Sequence, residues 1–237
     1  MIRNKYDYSL NINYDLLLGS DWAGVLEDTL LDTDYMENLM LFLHESYKFN
    51  NIFPAKKNIF KTFKKTEFSK IRVVILGAEP YTDGKGIGIP LGNIDKYGTR
   101  FSPELVSFNN GIERAFYNGF RMYNDPTLEH LSAQGVLLLD CALTSKLGEK
   151  FAHIVYWKNF IRQVLHTICD WHPATIFIFM GKKAKEYEAF VKDTGYKFYC
   201  DHPSESVENK ESWDASVLKS ANKILTSLNG EKSQIIW

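Results

Sequence analysis

Cysteine is scarce in this chain. Its three residues, Cys141, Cys169 and Cys200, are odd in number and far apart. That excludes a disulfide framework and the ligand spacing of zinc or iron–sulfur sites. A reduced, cytoplasmic setting is the expectation. Net charge is lacking too: at −1 there is no global basic signature for nucleic acid, so any such surface has to be local. No stretch approaches membrane-spanning length, and Met1 to Tyr8 holds no apolar signal region. Repeats, linkers and low-complexity segments are missing as well. One domain over residues 1–237 is the economical reading, with a helical part at 20–50 and a core at 53–228.

What is present is ordinary globular material. Hydrophobic content of 45% suits one sizeable core. Aromatics, at 14%, mostly fill it, although aromatic rings also stack on bases. Ser20-Asp21 precedes a helical pattern from Trp22 to Leu31, and Thr33-Asp34 caps a second with Tyr35, Leu39, Phe42 and Leu43 on one stripe. Residues 51–70 interleave Lys56, Lys57, Lys61, Lys64 and Lys65 with Phe53, Phe60, Phe63 and Phe68. Such a segment can meet phosphates. A solvated charged face with its aromatics turned inward is the preferred reading.

From there strands and helices alternate. The run at 72–76 is a buried strand, followed by a loop at 77–101 holding Gly84, Gly86, Gly88, Gly92 and Gly98. A helix starts at Pro103, with Leu105, Phe108, Ile112 and Phe116 on one face, and another near 126–133 stops at Gly135. Val136 to Leu139 is a second strand, 157–171 a helix, and Ala174 to Met180 a third strand. Gly181 opens a helix, Tyr196 to Tyr199 is a fourth strand, and a helix at 213–228 follows. This alternation means βαβ units with right-handed crossovers and a mostly parallel sheet, an α/β protein.

Each strand exit delivers polar groups. The first gives Glu79 and Tyr81, the second Asp140, and the fourth Asp201-His202-Pro203-Ser204. Singly, Glu79 reads equally as a loop acid that caps a helix, and His202 before Pro203 as a structural residue. Parallel strands send all of them to the same sheet edge, where ligands bind in open α/β sheets. Two acids, a His and a Tyr in one cleft point to an active site. Gly84-x-Gly86-x-Gly88 is not a nucleotide-binding loop, because it lies past the strand-to-helix turn.

At these positions the chain resembles the monofunctional uracil-DNA glycosylase superfamily. The family's active-site strand, Gly-Gln-Asp-Pro-Tyr, is matched by Gly77-Ala78-Glu79-Pro80-Tyr81. Its Gly-Val-Leu-Leu-Leu-Asn strand is matched by Gly135 to Asp140, and its His-Pro-Ser loop by His202-Pro203-Ser204. A Ser-His-Ala…Trp…Phe element is loosely matched by Phe151-Ala152-His153, Trp157 and Phe160. The resemblance spans about residues 53 to 228. Lys146 to Trp157 is also similar to the poxvirus branch, whose member doubles as a polymerase processivity subunit.

The resemblance implies a three-layer α/β/α fold around a central four-stranded, mostly parallel sheet. It implies a monomeric hydrolase that flips a nucleotide out of DNA and cleaves its N-glycosidic bond, with no metal or organic cofactor. The transition state resembles a sugar oxocarbenium ion leaving an anionic base. Glu79 stabilises the cation and orients water. His202 donates to O2 of the departing base, a donor worth roughly 3 kcal/mol by analogy with oxyanion holes. Asp140, Tyr81, Ala78 and Leu91 read the base. Ser204, Pro103, His153 and Val207 meet the DNA, Val207 being the apolar candidate for the intercalating position.

Departures from the family carry the finer expectation. Glu79 replaces Asp and reaches one methylene further, and errors near 1 Å cost about 100-fold in rate. Asp140 replaces Asn. An ionised carboxylate only accepts hydrogen bonds, so it repels uracil O4 and accepts from a cytosine amine. A protonated one also donates to cytosine N3. Leu91 stands for a base-stacking Phe and Thr82 for a His, which leaves room for a larger base. Tyr81 has to tilt if that base carries a 5-substituent. The main expectation is excision of a modified cytosine, as in phage DNA, hence genome defence. Uracil excision in repair and a degenerate DNA-binding module stay open.

Overall fold

The computed structural model describes residues 13–31, 33–49, 51–93, 101–120, 125–192 and 196–237. Residues 1–12 and Gly98, both part of the sequence reading, lie outside them. The described residues open in helices. Asn13 caps α1 (Tyr14–Leu18), and Gly19 leads into α2 (Ser20–Leu26), which continues as a π-type turn over Glu27–Leu31. The Thr33 hydroxyl accepts from the Met36 N–H and starts α3 (Asp34–Ser46), as its sequence anticipates. A two-residue strand, β1 (Ile52–Phe53), and a short helix, α4 (Lys61–Lys65), follow. Here Phe60, Phe63 and Phe68 are buried while Lys56, Lys57, Lys64 and Lys65 are exposed, which is the inward-aromatic reading. Trp22 meets the edges of Phe63 and Phe68 at 4.8 and 4.9 Å and donates its indole N–H to the Thr66 carbonyl. Replacing so well-packed an aromatic by Ala costs about 3–5 kcal/mol.

The remaining elements are β2 (Val73–Gly77), α5 (Pro103–Phe116), α6 (Glu129–Ser132), β3 (Val136–Asp140), β4 (Ser145–Lys146) and α7 (Ile154–Trp171). Then come β5 (Ile176–Met180), α8 (Lys182–Lys185), β6 (Tyr196–Cys200), α9 (Pro203–Asn209) and α10 (Ser216–Asn229). The main sheet has four strands in the order β3-β2-β5-β6, all parallel. β2, β3 and β5 are buried throughout, which is why they read as unbroken apolar runs.

Alternate residues point to opposite faces. Val74, Leu76, Leu137, Leu139, Phe177 and Phe179 pack with Trp22, Met36, Trp157 and Phe160 from α2, α3 and α7. Val73, Ile75, Val136, Leu138, Ile176 and Ile178 pack with Leu105, Phe108, Trp213 and Leu218 on the α5 and α10 side. The result is the expected three-layer α/β/α arrangement. The core extends beyond residue 228, since Ile235 and Trp237 are buried in the second cluster. Two further differences matter. The helix expected near 126–133 is only Glu129–Ser132, because Asp125 takes the Thr127 N–H and hydroxyl into a turn. β1 and β4 form an unanticipated antiparallel pair.

Candidate active site

The register levels the carboxyl ends of the strands: Gly77 pairs with Asp140, and Met180 with Cys200. A cleft of about 430 Å³ opens at this edge, lined by Ala78, Glu79, Tyr81, Leu91, Asp140, His202 and Ser204 among others. The three strand exits thus meet in one place.

Glu79 leaves β2 and turns towards the segment after β4. Its Oε1 accepts from the Phe151 N–H at 2.8 Å, while Oε2 is buried without a protein partner. Phe151 holds that N–H in place from the left-handed region, at φ 64°. Burial raises the Glu79 carboxyl above its ordinary range; the Phe151 N–H and the Lys150 charge pull it back. Asp140 is 5% exposed, and no group among the described residues donates to its carboxyl. Burial and the neighbouring Glu79 charge both push it well above the ordinary carboxylate range. Both carboxyls are thus raised, Asp140 the further of the two.

His202 caps α9. Its Nδ1 accepts from the Ser204 N–H at 3.2 Å, and an amide can only donate, so Nδ1 carries no proton. The Ser204 hydroxyl, 2.8 Å away, then donates to the same nitrogen. Nε2 is left as the ring's N–H. Burial, helped by Lys150, lowers the imidazole to about 4, so it stays neutral near pH 7. Gly181, at φ 85°, lets the turn before α8 pass close behind: a Cβ there would lie 2.9 Å from His202 Cβ.

Tyr81 is pinned at its hydroxyl, which donates to the Leu91 carbonyl at 3.1 Å and lies 2.7 Å from Ser102 Oγ. Ser102 in turn caps α5 through the Leu105 N–H. Leu91 is buried at φ 61°, and Thr82 lies on the cleft wall with its carbonyl bound to the Gly148 N–H. A 5-substituent that displaces Tyr81 therefore has to disturb the Ser102 and Leu91 contacts together.

The expected DNA contacts fare differently. Both Ser204 donors are directed at His202 Nδ1, so in this structure its hydroxyl helps to fix the imidazole. Pro103 is exposed at the first turn of α5, beside Glu104 on the cleft wall. His153 is not brought to the cleft. It is 4% exposed, lies with Nδ1 2.8 Å from the Thr144 hydroxyl and packs edge-on to Phe42, which leaves it little surface for DNA. Val207 is half-buried on α9 and off the cleft wall. The sequence reading missed Lys150, Phe151, Lys183 and Glu208, which line the cleft after strand exits. Lys150 and Glu208 approach to 3.7 Å at exposed positions, a pair worth about 0–1 kcal/mol. Among the described residues, no group of three or more His, Cys, Asp or Glu side chains is placed to hold a metal ion. No described helix is long and apolar enough to cross a membrane.

No protein-family model matches the chain. Curated relatives do. It is 32% identical to a uracil-DNA glycosylase of Fusobacterium nucleatum, over 93% of this chain and 96% of that one. It is 30% identical to a uracil-DNA glycosylase of Brevibacillus brevis, over 89% and 91%. Among solved structures, the mimivirus uracil-DNA glycosylase superposes with a TM-score of 0.80 at 21% identity, covering 95% of this chain and 89% of that one.

Proposed function

The chain belongs to the uracil-DNA glycosylase family, and we propose that its cleft removes uracil from DNA by hydrolysing the N-glycosidic bond. The observation that carries this reading is the convergence of Glu79, Asp140 and His202 at one sheet edge. Glu79, through the unpartnered Oε2, stabilises the sugar cation and orients water. His202 donates from Nε2 to O2 of the departing base. Asp140 reads the Watson–Crick edge. As a neutral acid it offers one O–H and one carbonyl oxygen, which meet uracil O4 and N3–H as an asparagine amide would. In that form it does not repel O4, and the similarity to uracil-DNA glycosylases supports uracil as well.

A second reading, excision of a modified cytosine as a defence against foreign DNA, rests on Asp140 and Leu91. The acid proton can sit on either oxygen. Without turning, the same side chain can donate to cytosine N3 and accept from its amine. Leu91 leaves more space than a Phe would. The test uses duplex oligonucleotides carrying uracil, cytosine or 5-modified cytosine, treated with protein and then with alkali. Nicking at uracil supports the first reading, and nicking at modified cytosine alone supports the second. No nicking at any base leaves a DNA-binding module.

A further inference from the structure

We propose that Phe151 is the wedge that enters the base stack as the target nucleotide leaves it. This rests on the glycosylase reading and assigns a further part of the same site. Extruding a base leaves a gap, and proteins that unstack DNA fill such gaps with an apolar side chain between base steps. The wedge has to be large, apolar, exposed before DNA arrives and beside the cleft. On α9, which follows His202, nothing qualifies: Ser206 is small and buried, and Val207 is half-buried off the wall. Phe151 is 39% exposed and lines the cleft; no other large apolar side chain among the described residues does both.

Its setting fits the role. A non-glycine residue at φ 64° is held there by its surroundings, here by the N–H bond to Glu79. The side chain is thereby fixed relative to the group that faces the sugar. The Lys183 ammonium lies 5.5 Å from the ring centroid, and Lys150 precedes it on the same wall. Lys183 is also paired with Glu186 at 2.9 Å, so a phosphate arriving there competes with that contact. A ring flanked by cations matches a base stack flanked by phosphates.

The test compares wild type, Phe151→Leu and Phe151→Ala by single-turnover excision of uracil from one sequence, duplex and single-stranded. A wedge matters only where a stack must be opened. Phe151→Ala should lose about 30-fold more on duplex than on single strand, about 2 kcal/mol. Phe151→Leu should recover most of that difference. All three side chains share the same backbone strain, so strain does not separate them. Equal losses on both substrates overturn the proposal and leave Phe151 acting only through Glu79. A 2-aminopurine beside the uracil reports unstacking without cleavage. Wild type should brighten it on binding and Phe151→Ala should not. If wild type cleaves nothing, the glycosylase reading falls, and the fluorescence still decides the wedge: no difference between the proteins overturns it.

Discussion

The Asp140 carboxyl lies against Gly77, its partner across the β2–β3 ladder: a Cβ on Gly77 would fall 2.4 Å from Oδ1. Glycine is the residue that lets a side chain occupy that space. Gly77→Ala should displace the acid and overpack the strand, at a cost of about 1–3 kcal/mol. A shift of about 1 Å at a base-reading group should slow excision about 100-fold. Urea unfolding and single-turnover rates measure the two effects separately. A variant that is destabilised yet fully active would show that the placement of Asp140 is unimportant.

Glu79→Gln should keep an acceptor for the Phe151 N–H while removing the charge that faces the sugar. His202→Ala removes a donor aimed at developing charge, a loss of about 100- to 1000-fold. Glu79→Gln should unfold close to wild type, whereas His202→Ala also removes the side-chain cap of α9, at a cost of about 0.5–2 kcal/mol. Near wild-type excision by both would remove the catalytic assignment.

Much of this site is legible in the sequence because buried parallel strands are continuous apolar runs. Val73–Gly77 and Val136–Asp140 announce themselves, and the polar residue after each run must then lie at one edge. His202 was legible by the same argument. Phe151 was not. Its place depends on a left-handed backbone that only glycine or asparagine would advertise, and a lone Phe reads equally as core. The resemblance at Phe151-Ala152-His153 makes His153 a DNA contact, and only its packing against Thr144 and Phe42 reveals it as buried. The β1–β4 pair is two residues per strand, too short to carry a period. The short helix after His202 was marked only by Pro203 at its first turn.

His202 makes stability depend on acid. Its ordinary value is 6.5, and in the folded protein it falls to about 4 through burial and Lys150. The unfolded chain therefore takes up the proton first as pH drops. The stabilisation is present above about 6.5 and is lost as pH falls towards about 4, at most about 3 kcal/mol. Urea midpoints across that window should fall more steeply for wild type than for His202→Gln. Parallel curves would count against a buried neutral imidazole.

Asp140 has the opposite sign. A carboxyl raised by burial and by Glu79 binds its proton more tightly when folded. Its stabilisation is complete below the ordinary value of 3.8 and is lost as pH rises through the folded value. Asp140→Asn has no proton to lose, so its advantage in Tm should grow with pH and vanish near pH 3. A stabilisation of 1 kcal/mol corresponds to roughly 2–4 °C in a chain of this size. A pH-independent difference in Tm would mean that Asp140 titrates as an ordinary carboxyl.

The same substitution tests base identity. The neutral acid can place its proton towards either oxygen, so it can satisfy uracil or cytosine without turning. An amide held in one orientation can satisfy only one of them. Each unmatched buried polar group costs about 1–3 kcal/mol, roughly 5- to 150-fold in rate. Asp140→Asn should therefore move the ratio of uracil to cytosine-type excision towards uracil by a factor in that range. The pH profile should change with it. Wild-type uracil excision should rise as Glu79 ionises and fall as Asp140 loses its proton, giving a bell. The asparagine variant should keep the rising limb, set by Glu79, and lose the falling one. Single-turnover rates on matched uracil and modified-cytosine duplexes across pH give both readouts. An unchanged ratio together with an unchanged alkaline limb would mean that Asp140 does not read the base.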